Sequence, residues 1–519
     1  MQNQEAYQAF LSLNKELSTR EILNALGAAG HDVSLRTVQR WLKDLNEPRP
    51  APTGMVQASP VVNGVYNNQH ADLVQVPDGV YVITAAQADT YINEDFFASL
   101  LLYCQHRSAT LMIAPMVYNA RRTSKLWFDH RISEYLVQGP IKLAPDLVVA
   151  CGINVLPSAA RPLSGFASYF REGSGIIPHT KMQLDSLPRY KGTEPRFLYS
   201  TGCITRRNYT QSKSGAIADF HHVFGALVVE VKEGTWFVRQ LVADEHGEFF
   251  DLTTHATPYG VEHGVAATVI TWGDLHCEEL SEMMLNTMLN IQKTLNPSVV
   301  ICHDVLDFSL RSYHNKSNYP YLAKLRKENR ESVSSALECV AGILNELSLE
   351  TDKLLVVPSN HDKHLERWLD EPHDQTDFSN SCTYHYLNYR KYQAICNSEE
   401  YRVLEDALGT HGLFSGITIL QEDESYELNG IEYSLHGDSG PNGSRGSPNN
   451  LRGIGVKLNT GHTHSASIVD GVYTGGCMCS LDLGYNTGPS SWSNSFILTY
   501  KNGKRSIVTI RDETEWRIE

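Results

Sequence analysis

AATVITWGDLHCEEL, residues 266–280, decides how the chain is read. Its first half is an apolar run with β-branched residues, the composition of a buried strand. A glycine turn follows, then a helix-like stretch. Asp274 and His276 stand at the strand's carboxyl end, where ligands collect in open α/β sheets. Their alternate spacing lets a carboxylate and an imidazole reach one ion. Alone, such a pair is a weak signal.

The pattern recurs. PSVVICHD (297–304) ends in Asp304, with Asp307 one turn on. DKLLVVPSNHD (352–362) ends in Asn360, His361 and Asp362. GIEYSLHGDSG (430–440) carries His436, and VKLNTGHTHSA (456–466) carries His462 and His464. Each is an apolar strand with oxygen or nitrogen ligands at its end. The bland alternative, a scatter of capping aspartates and core histidines, does not account for the repeated context. Mixed oxygen and imidazole ligands suit Mn, Fe or Zn rather than Ca. The set exceeds the needs of one ion, so two ions sharing a carboxylate are expected.

These motifs resemble those of the calcineurin-like metallophosphoesterases, over roughly residues 265–500. The family's D-x-H, GD-x-x-D, GNH-D/E, H and GH-x-H stand here as Asp274-Leu-His276, His303-Asp304-Val-Leu-Asp307, Ser359-Asn360-His361-Asp362, His436 and Gly461-His462-Thr-His464. His303 and Ser359 replace glycines of the family pattern. The resemblance implies an α/β fold with a four-layer α/β/β/α phosphoesterase domain. It implies one metal held by Asp274, His276 and His464, a second by Asn360, His436 and His462, and Asp304 as the bridge. Manganese is the expected ion, with Fe, Zn and Mg as alternatives. His361 would then serve the scissile phosphate, Asp362 would orient its ring, and Asp307 would back a ligand histidine. The implied chemistry is attack on phosphorus by metal-activated water, without a covalent intermediate.

Working outward, residues 1–45 read as a helix-turn-helix-like module. Ser18 and Glu21 form a capping box. SLRTVQRWLKDL (34–45) carries Leu35, Val38, Trp41, Leu42 and Leu45 at helical spacing, with Arg36, Thr37, Gln39, Arg40 and Lys43 on its other face. Six basic and six acidic residues in 1–50 cancel, so docking or assembly is as natural a role as DNA contact. Residues 46–78, Pro-rich and aperiodic, form a linker. Residues 79–260 are expected to be an α/β accessory region, and 261–519 the phosphoesterase domain. In the accessory region, VYVITAAQ and ATLMIAPMVYN read as strands flanking the helix EDFFASLLLYCQHR, LVVACGINVLP as a further strand, and ALVVEV with WFVRQLVA as a hairpin. Its basic residues Arg121, Arg122, Lys125, Arg206, Arg207 and Lys213, with His221 and His222, show no spacing that singles out a site.

The 519 residues carry 44 Lys and Arg against 59 Asp and Glu, a net charge of −15. That argues against a grip on nucleic acid through overall basicity. Bound divalent cations would reverse the sign locally. The ten cysteines show no CxxC pair, so a disulfide framework is not expected. With no signal-like start and no transmembrane run, a cytoplasmic setting is expected, the host cytoplasm if phage-encoded.

Fold cannot choose the phosphoester. Three features lean toward DNA: the tethered helix-turn-helix; Lys363, His364 and Arg367 just past His361; and RSYHNKSNYPYLAKLRKENR (311–330). That last stretch carries Arg311, His314, Lys316, Lys324, Arg326, Lys327 and Arg330, with Tyr313, Tyr319 and Tyr321 able to stack on bases. Of these, Lys363, Arg367, His314 and Arg311 are the expected substrate contacts. The C-terminal block 471–513 resembles the tail of phage-encoded metallophosphoesterases related to SbcD-type DNA exonucleases. The expectation is a DNA exonuclease, homo-oligomeric, with any ATPase partner a separate protein. The alternative is a phosphatase or cyclic-nucleotide phosphodiesterase whose N-terminal module serves assembly.

Overall fold

The computed structural model describes residues 19–31, 33, 37–38, 73–118, 126–137, 139–171, 173–312, 315, 317–372, 377–484 and 486–518. Most of the helix-turn-helix-like module and linker therefore lies outside the described residues, as do Arg121, Arg122, Lys125, Tyr313, His314 and Lys316. The helix Thr19–Ala28 is present, with Ile22 and Leu26 buried on one face.

The chain is a mixed α/β protein. A six-stranded sheet runs in the order Thr418–Ile419, Lys353–Val357, Val299–His303, Val269–Asp274, Ser495–Thr499, Arg505–Thr509. The first four strands are parallel; the last two are antiparallel and joined by the tight turn at Lys501–Lys504. All residues of Val269–Asp274 and Val299–His303 are buried, which is why both read as unbroken apolar runs. Successive side chains serve opposite faces. Ile270, Trp272, Val300 and Val356 pack under the helices Glu282–Leu295 and Val333–Ser348, through Met284, Met288, Ile291, Leu337 and Leu344. Val269, Ile301, Leu355 and Val357 meet Ile431 and Tyr433 of a second sheet. Ser281 and Ser332 cap the two helices by accepting from Met284 N–H and Ser335 N–H.

The regions on either side of residue 260 are joined by strand pairing. The second sheet has eleven strands drawn from both sides of it. Leu184–Leu187 pairs antiparallel with Ser467–Val469, and through this junction the sheet is continuous. The helix Glu94–Arg107 covers a separate four-stranded sheet, ordered Thr235–Val242, Gly225–Lys232, Gly79–Gln87, Thr110–Met116. Its edge strand Thr235–Val242 lies against Arg505–Thr509: the Gln240 side chain accepts from Ile507 N–H at 2.7 Å, and Gln240 N–H donates to Ser506 Oγ at 3.2 Å. Tyr81, Val229, Trp236, Phe197, Tyr473, Ile497 and Ile507 form one core from both sides of residue 260. Local composition predicts the strands, but only long-range pairing decides that these regions share sheets.

Candidate metal centre

The five strand ends converge. Asp274 closes its strand, and the parallel register sets it beside His303 and the following Asp304. His276 N–H donates to the Asp304 carbonyl at 2.8 Å, locking the two loops together. His276, Asp304, His462 and His464 all have positive φ (42°, 50°, 73° and 53°), a conformation that non-glycine residues adopt at a cost of roughly 1–3 kcal/mol each. Such strain persists where surrounding structure over-determines it, and here it turns all four side chains toward one point.

Donor atoms of Asp274, His276, Asp304 and His464, all buried, lie within 4.8 Å of one another. His464 Nε2 is 3.0 Å from Asp274 Oδ2 and 3.0 Å from His276 Nε2, and His276 Nε2 is 3.3 Å from Asp304 Oδ2. Beside this group His436 Nε2 stands 3.8 Å from Asp304 Oδ2, and His462 Nδ1 stands 3.2 Å from Asn360 Oδ1. The structure thus brings together all seven residues expected as ligands. Both ring nitrogens of His436 are buried without a hydrogen-bond partner. Leaving buried polar atoms unpaired costs about 1–3 kcal/mol each. Converging imidazole lone pairs and carboxylates fit a divalent cation, and this cluster can hold such ions; the donor set does not choose the metal.

The electrostatics agree. Burial opposes charge on His276, yet Asp304, Asp307 and Asp274 hold its imidazole up at about 10. Burial likewise disfavours the Asp274 carboxylate, but the surrounding histidines hold its pKa well below the usual carboxylate range. A field that stabilises one positive charge so strongly is suited to a cation.

Two expectations are revised. Asp362 is not aimed at orienting His361. Its oxygens accept from Leu306 N–H at 3.1 Å and from Ser359 N–H and Oγ at 3.0 and 2.8 Å, so it ties the Asn360–His361 loop to the Asp304 loop. Asp307 takes the orienting place: its carbonyl is 2.9 Å from His361 Nδ1, and its Oδ1 is 3.6 Å from that atom and 3.2 Å from His276 Nδ1. Arg311 is the second revision. It forks onto Asp377 at 2.6 and 2.8 Å and is committed to that internal tie. Lys363 is paired with Glu422. Arg367 is exposed on the helix Lys363–Asp370, and His314 lies outside the described residues.

Sequence reading missed three contributors. Glu278 accepts from Asp307 N–H and Phe308 N–H at 2.8 and 3.0 Å; burial first, and Asp307 second, push its carboxyl up to about 7. Its only signal was an acid two residues past His276. Ser359, where the calcineurin-like pattern has glycine, sets its Oγ between Asp304 Oδ1 and Asp362 Oδ2, its single hydroxyl proton serving the two carboxylates. Gly461 is needed for close approach, because a Cβ there would lie 2.1 Å from Asp274 Oδ1.

With this geometry established, comparison with known proteins finds a phage relative. Protein A1 of Escherichia phage T5 is 36% identical over 492 residues, covering 90% of this chain and 86% of the relative. The chain belongs to the Protein A1 family. No protein-family model matches it, and no solved structure matches it. Within this A1-family chain, no helix among the described residues is long and apolar enough to cross a membrane.

Proposed function

We propose that the chain is a two-metal phosphodiesterase with the calcineurin-like layered fold, acting on DNA as an exonuclease. The observation that carries the reading is the gathering of Asp274, His276, Asp304 and His464 within 4.8 Å, with Asn360, His436 and His462 beside them. Asp274, His276 and His464 would hold one ion, Asn360, His436 and His462 the other, and Asp304 both. Bound divalent cations supply neutralisation of a phosphodiester and acidification of water.

The chain's own residues do the rest. Asp307 holds the His361 ring through Nδ1, so Nε2 is the atom assigned to protonate the leaving oxygen. Asp362 and Ser359 fix the loop that carries Asn360 and His361. Glu278 braces the backbone of Asp307 from below. Burial of Asp274, His276, Asp304, His436 and His464 strengthens the charge interactions among them, while Asn360, His361 and His462 are half-buried.

Exposed Arg367, and the helix Tyr319–Lys327 with exposed Tyr319, Lys324, Arg326 and Lys327, support a polymeric anionic substrate. The engagement of Arg311 and Lys363 by acidic residues favours the alternative, a phosphatase or cyclic-nucleotide phosphodiesterase. The two separate in one assay with manganese: linear duplex, circular duplex, single-stranded DNA and a small aryl diester side by side. Loss of linear but not circular DNA is expected. Turnover of the small ester alone would overturn the nuclease reading.

A further inference from the structure

The two regions on either side of residue 260 repeat a common strand order. Gly79–Gln87 and Thr110–Met116 are parallel and linked by the helix Glu94–Arg107; Val269–Asp274 and Val299–His303 are parallel and linked by Glu282–Leu295. Gly225–Lys232 then pairs antiparallel beside the first strand and Thr235–Val242 beside it, as Ser495–Thr499 and Arg505–Thr509 do in the later region. In the eleven-stranded sheet the early strands run antiparallel, parallel, parallel, antiparallel from Ile141–Ala144 to Leu184–Leu187. The late strands from Glu427–Leu428 to Ser467–Val469 run in the same sequence. Chain order is the same in both sets.

Register and bridges make the match residue by residue. Ala85 bridges Cys203 as Asp274 bridges Cys477, and Cys203 bridges Phe224 as Cys477 bridges Asn494. Ala88 N–H donates to the Met116 carbonyl as Cys277 N–H donates to that of Val305. Traces of sequence survive: Tyr199, Gly202 and Cys203 recur as Tyr473, Gly476 and Cys477, and His179 as His462. The contact between the regions is self-complementary. Leu184 pairs with Ile468, its own counterpart, since Leu184 opposes Tyr199 as Ile468 opposes Tyr473, and Asp185 pairs with Ser467, one step to either side of that pair. Gln240 likewise meets its own counterpart, Ile507. That is the signature of a two-fold interface.

We infer that residues 79–242 are a second copy of the fold at 269–509 that has lost its metal site, so that each chain is a two-fold pair with one metal centre and one blind one. The ligand positions read Ala85 for Asp274, Gln87 for His276, Pro115 for Asp304, Gly152 for His436, His179 for His462 and Thr180, beside Lys181, for His464; Val223 N–H donates to the Thr180 carbonyl as Ser493 N–H donates to that of His464. No carboxylate remains. His179 has both ring nitrogens engaged, Nδ1 by Lys181 N–H at 3.0 Å and Nε2 by the Leu156 carbonyl at 3.1 Å. Asn208 fills the mouth, accepting from Gln87 and donating to the Ala88 and Asp89 carbonyls. Where Lys353–Val357 pairs along Val299–His303, the early copy keeps among its described residues a single parallel bridge, Leu136 to Ile113, in the place of Val356 and Cys302. Among the described residues, the clusters able to hold an ion fall in the late copy alone.

The topological match does not depend on the proposed activity, and two measurements on the full chain test it. The first is bound manganese per chain. His179→Ala and Lys181→Gln should each leave the count and affinity of the wild type unchanged, and Asp274→Ala with Asp304→Asn should abolish tight binding. Manganese retained by that double variant, or lost from both early-copy variants, would overturn the blind site. The second is oxidation of Asp185→Cys with Ser467→Cys against each single variant. A cross-link within one chain is expected; a cross-link joining two chains would overturn the internal pair. Should the wild-type chain bind no manganese, the proposed metal centre fails while the cross-link still decides the pairing.

Discussion

His276 and His464 aim their Nε2 nitrogens at each other across 3.0 Å, although 188 residues separate them in the chain. Neither ring reaches this position from a relaxed backbone, since both residues have positive φ. The strain is held by the Asp304 carbonyl on one side and by the Asp274 carboxylate, 3.0 Å from His462 N–H, on the other. Converging imidazoles flanked by Asp274 and Asp304 are a geometry that a cation relieves.

Asp307 should matter through two histidines at once. Asp307→Asn removes the charge 3.2 Å from His276 Nδ1 and 3.6 Å from His361 Nδ1. Metal affinity or turnover should fall by about 10–100-fold, the usual scale for a group that orients a ligand histidine. Manganese titration of diester hydrolysis checks this; unchanged half-saturation and rate would refute the role.

His361→Asn should separate binding from chemistry. Manganese content should stay at the wild-type level while turnover drops by about 10²–10⁴-fold, the range for loss of a general acid. Full activity on a diester would remove His361 from the reaction.

Gly461→Ala places a methyl group 2.1 Å from Asp274 Oδ1 and 3.1 Å from the His303 Cβ. Overpacking of this kind costs about 1–3 kcal/mol. A lowered thermal midpoint together with weaker manganese binding is expected. Wild-type values for both would show that the loop yields freely.

Acid should act on a site far from the metal cluster. Arg239 is buried between Glu230 and Asp251, with contacts of 2.6–3.0 Å. Burial opposes the Glu230 charge, yet Arg239 and Arg107 hold its carboxyl down at about 2. A depressed carboxyl stabilises the fold fully above its ordinary value of 4.5. That contribution is lost as pH falls from there toward 2. Thermal unfolding of Glu230→Gln should therefore lose less stability than the wild type between pH 6 and pH 3, each about its own pH 6 value. Arg239→Met, which leaves the two buried carboxylates to Arg107 alone, should cost about 3 kcal/mol. Equal acid slopes for wild type and Glu230→Gln would contradict the linkage.

The metal cluster was legible because each donor ends an apolar strand, so local sequence reports both the element and the atom it presents. Ser359, Glu278 and the altered role of Asp362 were not, because their hydrogen bonds depend on how three loops meet. Arg311 and Lys363 read as free cations because their acidic partners, Asp377 and Glu422, stand 66 and 59 positions away in the sequence. The pairing across residue 260 was not legible, because nothing local announces that Leu184–Leu187 will meet Ser467–Val469. The repeat stayed hidden for a related reason: the early copy lost the ligand letters by which the late copy was read, keeping only His179 and the Tyr199, Gly202, Cys203 trace.

The central claim is that Asp304 joins two cation sites that hydrolyse a phosphodiester. Its most direct measurement is the rate of diester hydrolysis as manganese is titrated into wild-type chain and into Asp304→Asn. The wild type should turn over only with metal, and the variant should be slower by about 10³-fold or more, the several kcal/mol that such ions contribute. Metal-independent hydrolysis by the wild type, or equal rates for the two proteins, would contradict the account.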